Sequence, residues 1–208
     1  MRIGIIGSGN IGETTARLFA RAGHEVAISN SRGPDSLKDL VADIGDGARA
    51  ATPEEAVDFG EAVLVAIPWR LHEQLPDAQR FYGKVVIDAM NAYSPDFQVM
   101  DLEPSSSSEE VEKQLKGARL VKAFNTLNYR ILAGESRPGG GDDRLVLFMA
   151  GDDEGAKQIA SQLIEDAGFA AVDSGDLASG GRFQQAGSKV YGEQIKLAAA
   201  AEVLRDLP

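Results

Sequence analysis

The chain has 208 residues, a length suited to one domain with a substantial core and short for a cofactor domain plus a separate substrate domain. Its 32 acids against 21 bases leave a formal charge of −11, which opposes binding to nucleic acid or anionic membranes and points to small molecules or another copy of the chain as partners. With no cysteine there are no disulfides, thiol nucleophiles or thiolate-held zinc or iron–sulfur centres, and no metal site is expected.

Met1-Arg2-Ile3-Gly4 runs directly into an apolar strand without a charged leader, long apolar segment or cleavage site, so a cytoplasmic location is the default expectation. The strand breaks into Gly7-Ser8-Gly9-Asn10-Ile11-Gly12, a Gly-x-Gly-x-x-Gly turn before a helix. Gly7 is expected to make the tight turn, Gly9 to let backbone approach a pyrophosphate, and Gly12 to let helix pack on strand. The helix is expected over 13–23, with Ala16, Leu18, Phe19 and Ala20 on its apolar face and Gly23 as its stop. Its N-terminal N–H groups and dipole favour an anion. His24, just before a second strand that ends at Asn30, reads as structural and remote from the turn.

NAD-specific relatives of this arrangement end that strand with Asp or Glu for the ribose 2′-hydroxyl, but this chain has Asn30-Ser31-Arg32-Gly33-Pro34. A carboxylate repels a 2′-phosphate and a guanidinium grips it, so NADP is the expected cofactor. Arg32 either stacks on adenine or pairs the phosphate, Ser31 donates a hydrogen bond, and Lys38 is a candidate second cation.

Helical patterning follows over 36–44 and 53–59, and the apolar run 62–67 reads as a strand buried on both faces and ended by Pro68-Trp69. A helix from about Arg70 to Phe81 leads to a strand over 84–88. The serine-rich stretch 104–108 reads as a flexible link whose last serine caps a helix over 109–116. A strand over 119–123 leads into Phe124-Asn125-Thr126, and strands over 144–150 and 170–173 bracket a helix over 153–167. An amphipathic helix over 193–207, with Ile195, Leu197, Leu204 and Leu207, suits core or dimer contact. The alternation predicts an α/β fold: a Rossmann-type, doubly wound, mostly parallel sheet in a single compact domain over 1–208 with a C-terminal helix. Residues 175–208 read as an extension at the substrate or dimer edge.

In such sheets ligands gather beyond the carboxyl ends of the strands. Ile67, Pro68 and Trp69 are candidates to pack on ribose and nicotinamide, Trp69 alternatively covering the core edge. Asn91 is a candidate to bond the nicotinamide ribose or the redox partner, and His72 either approaches the nicotinamide or faces solvent. No catalytic residue is assigned; a carbonyl or imine substrate would want a placed acid, for which Tyr93, Tyr129 and Lys122 are the candidates. The glycine-rich loop 136–143 is either a flap over a second substrate or a plain loop. Arg182, Gln184 and Gln185 are polar residues near a substrate or dimer edge.

Five segments, residues 7–12, 29–34, 66–69, 88–91 and 121–126, together resemble the NADPH:coenzyme F420 oxidoreductase family. The same unit is similar to the cytoplasmic oxidoreductase domain of the STEAP metalloreductases. The resemblance runs to about residue 174; beyond it the Gly-, Arg- and Gln-bearing tail is similar to bacterial proteins grouped with the family as predicted dinucleotide-binding enzymes. It implies a small Rossmann domain that binds NADP and passes hydride directly to a flavin-like or deazaflavin ring, with F420 or a flavin as second substrate. By position it implies that Ser8, Gly9, Asn10 and Ile11 line the pyrophosphate, that Ser31 and Arg32 hold the 2′-phosphate, and that Asn91 with Ala123, Phe124 and Asn125 borders the nicotinamide. A homodimer is expected on the same ground. The expected activity is NADPH-dependent oxidoreduction toward a flavin-like or F420-type small-molecule electron acceptor. Reduction of a small carbonyl or imine, and a non-catalytic NADP sensor or partner module, are the alternatives.

Overall fold

The computed structural model describes residues 1–206. Six strands, β1 (Arg2–Ile6), β2 (Glu25–Ser29), β3 (Ala48–Ala51), β4 (Ala62–Val65), β5 (Val85–Asp88) and β6 (Arg119–Lys122), form one parallel sheet in the order β3-β2-β1-β4-β5-β6. That order reverses direction between β1 and β4, which opens a crevice at their carboxyl ends.

The strands are apolar at consecutive positions because both faces are covered. Along β4, Ala62 and Leu64 join a core that includes Ile5, Phe19, Ile28, Ile87, Val121, Phe124 and Leu163, while Val63 and Val65 join a second core with Ile6, Phe81, Val86, Val111 and Leu120. Helices α1 (Asn10–Arg21) and α6 (Glu154–Asp166) close the first face; α4 (Ser107–Gln114) closes the second. Burying each such Val, Leu or Phe side chain stabilises the fold by about 1.5–3 kcal/mol.

The remaining helices are α2 (Lys38–Ile44), α3 (Pro53–Phe59), α5 (Tyr129–Gly134), α7 (Ser179–Gln184) and α8 (Leu197–Val203). Strands β7 (Val146–Met149) and β8 (Ala170–Asp173) pair in parallel as a separate two-stranded sheet. It meets the large sheet through one antiparallel bridge, where Lys122 and Ala150 exchange backbone hydrogen bonds of 2.8 and 3.0 Å. The Rossmann-type architecture in one compact domain is as the sequence predicts, but these last strands do not extend the main sheet.

Other parts of the chain differ from the sequence reading. β3 carries no apolar alternation and lies at the sheet edge, so its pattern gave no strand signal. The helix expected from about Arg70 to Phe81 is two 3-10 segments, Trp69–Gln74 and Ala78–Phe81, separated at Leu75-Pro76-Asp77, because Pro76 has no N–H to continue a ladder. The serine stretch is no flexible link: Ser106, Ser107 and Ser108 are all at most 1 % exposed. Ser106, rather than Ser108, caps α4, in a capping box closed by Glu109. The C-terminal helix begins later than expected, at Leu197, and packs with Val146, Phe148 and Phe183 as a third apolar cluster; Leu207 falls outside the described residues.

Candidate functional site

The crevice starts at the glycine turn. Gly7 has φ +110°, a left-handed conformation strained for any other residue, and a Cβ there would stand 2.4 Å from the Ala66 carbonyl oxygen. A Cβ on Gly12 would stand 1.8 Å from the Gly7 carbonyl oxygen, so the helix seats on the strand only because nothing projects. Gly9 is different: a Cβ there meets nothing within 4 Å. It is the N-cap of α1, with no side-chain cap, which leaves the first helical N–H groups and the positive end of the dipole to an anion.

From the end of β2, Asn30 ties the next loop to this turn. Its Oδ1 accepts from the Arg32 backbone N–H at 2.9 Å, and its Nδ2 donates to Ser8 Oγ at 3.2 Å and Ser36 Oγ at 3.0 Å. An Asp here lacks those donors. Ser31 and Arg32 are exposed, and among the described residues the Arg32 guanidinium has no hydrogen-bond or ion-pair partner. Lys38 does not reinforce it: its ammonium pairs with Asp35 at 2.8 Å, 73 % exposed, and lies outside the cavity.

Gly7, Ser8 and Gly9, then Asn30, Ser31 and Arg32, then Ile67 and Pro68 line one cavity of about 300 Å³ across the ends of β1, β2 and β4. Ile6 and Ala66 complete its wall together with Pro53, Leu71, Gln74, Leu75 and Pro76, the last five being residues that sequence reasoning did not assign to the site. Gly12 lies buried behind the turn, Asn10 and Ile11 sit in the first turn of α1 outside the lining, and Ile11 packs against the core.

A second cavity of about 270 Å³ adjoins it, Pro68 belonging to both. Trp69, Arg70, Asn91, Tyr93, Pro95 and Phe97 contribute to its walls. Trp69 is 7 % exposed and its Nε1 donates to the Ser107 carbonyl at 2.9 Å, so it anchors the core edge and also presents one wall. The His72 ring packs against Trp69 at 4.5 Å, tilted by 32°, and lines neither cavity. Tyr93 stands 6.4 Å, ring to ring, from Tyr191, whose hydroxyl is pushed up first by burial and then by its hydrogen bond with Tyr93. Tyr129 instead accepts from Arg130 Nε at 3.1 Å, outside both cavities.

The residues expected beside a nicotinamide on β6 are differently placed. Ala123 and Phe124 are fully buried, and the Phe124 ring packs edge-on to Phe19 at 5.7 Å, so their side chains belong to the core. Phe124 nonetheless has φ +60°, a costly conformation that bends the chain sharply at the strand end. That bend presents the Asn125 carbonyl to Asn91 Nδ2 at 3.0 Å; Asn125 Nδ2 donates to Asn91 Oδ1 at 3.2 Å and to the Gln184 carbonyl at 2.7 Å. Asn91 is therefore partly committed to holding three segments together.

Below this edge lies a network the sequence did not reveal. Lys122, 0 % exposed, donates to the Met90 carbonyl at 3.1 Å, Ser107 Oγ at 3.2 Å and Ser108 Oγ at 3.1 Å, and lies 3.5 Å from Asp88 Oδ2. Ser108 and the Met90 N–H donate to the same Asp88 carboxylate at 2.5 and 2.9 Å. Burial pushes the Lys122 ammonium down and Asp88 pulls against it. Lys122 is thus buried away from both cavities and lines neither. The available signal was a charge closing each of two apolar strands, Asp88 facing Lys122 in register.

The remaining candidates lie elsewhere. His24 is structural, 3.1 Å from Asp166 and edge-on to Phe19. The loop 136–143 is no flap: Ser136 and Arg137 bond Ala167 and Gly168, and Pro138 and Gly139 lie beside Leu18 and Arg21 at the far end of α1. Arg182 staples the Glu103-Pro104 segment, Gln184 is buried, and neither of these nor Gln185 lines either cavity. Among the described residues no helix is long and apolar enough to cross a membrane.

Residues 2–92 match the family described as NADP oxidoreductase, coenzyme F420-dependent. A hypothetical protein of Sinorhizobium meliloti is 35% identical over 94% of this chain and 95% of its own, with a TM-score of 0.82. An Arthrobacter protein described as an F420-dependent NADP reductase is 25% identical over 85% of this chain and 86% of its own, with a TM-score of 0.72. An imine reductase of Bacillus cereus, 18% identical with a TM-score of 0.64, shares the fold over 85% of this chain, which spans 55% of that protein. No curated protein matches.

Proposed function

Because the chain belongs to the family of coenzyme F420-dependent NADP oxidoreductases, we propose that it is an NADPH-dependent oxidoreductase acting on a flavin-like or deazaflavin small molecule. The family implies NADP binding, and the residues fit that group. The open space over Gly9 accommodates a pyrophosphate against the uncapped start of α1, and Ser31 and Arg32 stand where a 2′-phosphate would lie.

The observation that carries this reading is the Arg32 guanidinium, without a partner among the described residues and on the same cavity as the glycine turn, in a chain of net charge −11. Bound there, NADPH supplies hydride from its nicotinamide to the acceptor ring. The protein's part is positional: Pro68 and Ile67 direct the far half of the ligand toward β5, and the apolar walls exclude water. Ring-to-ring transfer needs no proton donor at the nicotinamide.

Reduction of a small carbonyl or imine is the second reading, favoured by Tyr93, the one candidate acid that lines a cavity. Spectroscopy of NADPH oxidation against F420, FMN, FAD, riboflavin, ferric chelates and simple imines separates the two, and a sensor module oxidises none. Calorimetry tests the carrying observation. Arg32→Glu should weaken NADPH by about ten- to a hundredfold while changing NADH little, the loss of a charge-assisted bond. Equal losses for both nucleotides would overturn the role given to Arg32.

A further inference from the structure

We propose that Lys122 is a positioning residue for the nicotinamide half of the coenzyme: without touching the ligand, its buried ammonium holds the chain after β5 and the start of α4, so that Asn91 and Trp69 keep their places. The ligand's identity rests on the NADPH reading above; the hold on the two side chains does not.

The surroundings of the ammonium come first. Among the described residues Asp88 and Lys122 are the only charged side chains with no exposure at all. An ammonium has three N–H donors. Its three nearest acceptors here are neutral, the Met90 carbonyl and Ser108 Oγ at 3.1 Å and Ser107 Oγ at 3.2 Å, while the Asp88 carboxylate stands farther off at 3.5 Å. Asp88 thus balances the charge, and the close bonds of Lys122 go to a backbone carbonyl after β5 and to two hydroxyls on α4. Desolvation offsets most of what a buried pair gains, so two apolar side chains of similar volume would stabilise the core about as well. They could not donate to three acceptors at once.

Those three bonds reach the edge of the crevice by two routes. Met90 is held on both sides: its N–H donates to Asp88 Oδ1 at 2.9 Å and its carbonyl accepts from Lys122. The next residue is Asn91, whose carboxamide donates to the Asn125 carbonyl at 3.0 Å and accepts from Asn125 Nδ2 at 3.2 Å. By the other route, Ser107 takes the Lys122 bond on its hydroxyl and the Trp69 Nε1–H on its carbonyl, the latter at 2.9 Å. Asn91 and Trp69 both line the cavity that adjoins the dinucleotide crevice at Pro68, and both depend on one ammonium that lines neither. Arg32 and the glycine turn follow β2 and β1, on the other side of β4. Loosening the β5 edge should therefore leave the phosphate-bearing end of the coenzyme as it is.

Calorimetry on the full-length protein tests this by comparing NADP with adenosine 2′,5′-bisphosphate, which has the adenosine and its 2′-phosphate but no nicotinamide. Lys122→Met alone strands a buried carboxylate, so the informative variant combines it with Asp88→Asn and removes both charges. That variant should melt within a few degrees of the native protein, bind NADP about tenfold more weakly and bind the bisphosphate unchanged. The emission of Trp69, the only tryptophan, should shift to the red as its bond to Ser107 loosens. Asn91→Ala should give the same split between the two ligands, and combining all three substitutions should weaken NADP by less than about twofold beyond either, because Lys122 acts through Asn91. Unchanged NADP affinity, full additivity with Asn91→Ala, equal weakening of both ligands, or a charge-free variant that does not fold would each overturn the proposal, the last two by showing a role in the core alone. Binding of neither ligand by the native protein would sink the NADPH reading and with it the coenzyme role of Lys122, while the Trp69 emission still decides whether the ammonium holds that side chain.

Discussion

Gly9 and Gly12 stand three positions apart in one motif and answer opposite physical demands. A methyl on Gly9 enters open space, so Gly9→Ala should fold with an unchanged melting temperature yet lose NADPH affinity by about tenfold or more, because the methyl occupies the room a pyrophosphate needs. A methyl on Gly12 strikes the Gly7 carbonyl at 1.8 Å, so Gly12→Ala should lower stability by about 1–3 kcal/mol or more and lose binding as a consequence. Thermal melting beside calorimetry separates the two. Matching melting temperatures for the two variants would contradict the assigned roles. Asn30 shows a subtler economy: one amide organises the Arg32 loop through its oxygen and tethers it to Ser8 through its nitrogen, leaving the guanidinium free.

Among the elements, α6 illustrates how a helix start becomes sensitive to acid. Asp153 caps it by accepting from the Ala156 N–H at 2.8 Å and takes a two-pronged contact from Arg119 at 2.6 and 2.9 Å. Led by the Arg119 bond, these hold its carboxyl at about 2, below the ordinary 3.8. A depressed folded value means the contribution is complete above about pH 4 and disappears as pH falls toward about 2. Urea unfolding across that window should show a steeper loss for the native chain than for Asp153→Asn, whose curve lacks this component. Parallel curves would remove Asp153 from the account. Which elements the sequence disclosed follows from where their causes lie. Strand β4 and helix α3 announce themselves locally, one by an unbroken apolar run, the other by Thr52, Pro53 and Glu55 at its start. The stretch over 70–81 carried helical spacing, but Pro76 divided it; β3, alanine-rich at an edge, carried no spacing at all. The candidate site divides likewise. Gly7 to Gly9, Asn30 to Arg32 and Ile67-Pro68 were legible because each directly follows a strand. Trp69 on the Ser107 carbonyl, Lys38 on Asp35 and Lys122 on Asp88 depend on what each side chain meets in the fold, two of the partners lying far along the chain.

At the scale of the whole molecule, the backbone link between the two sheets is the reciprocal pair at Lys122 and Ala150. Ala150→Pro deletes the N–H that bonds the Lys122 carbonyl at 3.0 Å, and should cost about 1–3 kcal/mol. Hydrogen exchange then localises the damage: faster exchange in β7, β8 and residues 175–192, with β1 still protected, is expected. A uniform rise across both sheets would show instead that they open as one unit. The fold also determines what the chain shows to other macromolecules. A run of four serines after a proline is the kind of tract that kinases and proteases commonly read in extended chains, yet Ser106, Ser107 and Ser108 are sealed beneath the surface with their hydroxyls already engaged. Of that tract only Ser105 offers an accessible oxygen, so neither phosphate addition nor cleavage can regulate this segment at the other three without first unfolding it.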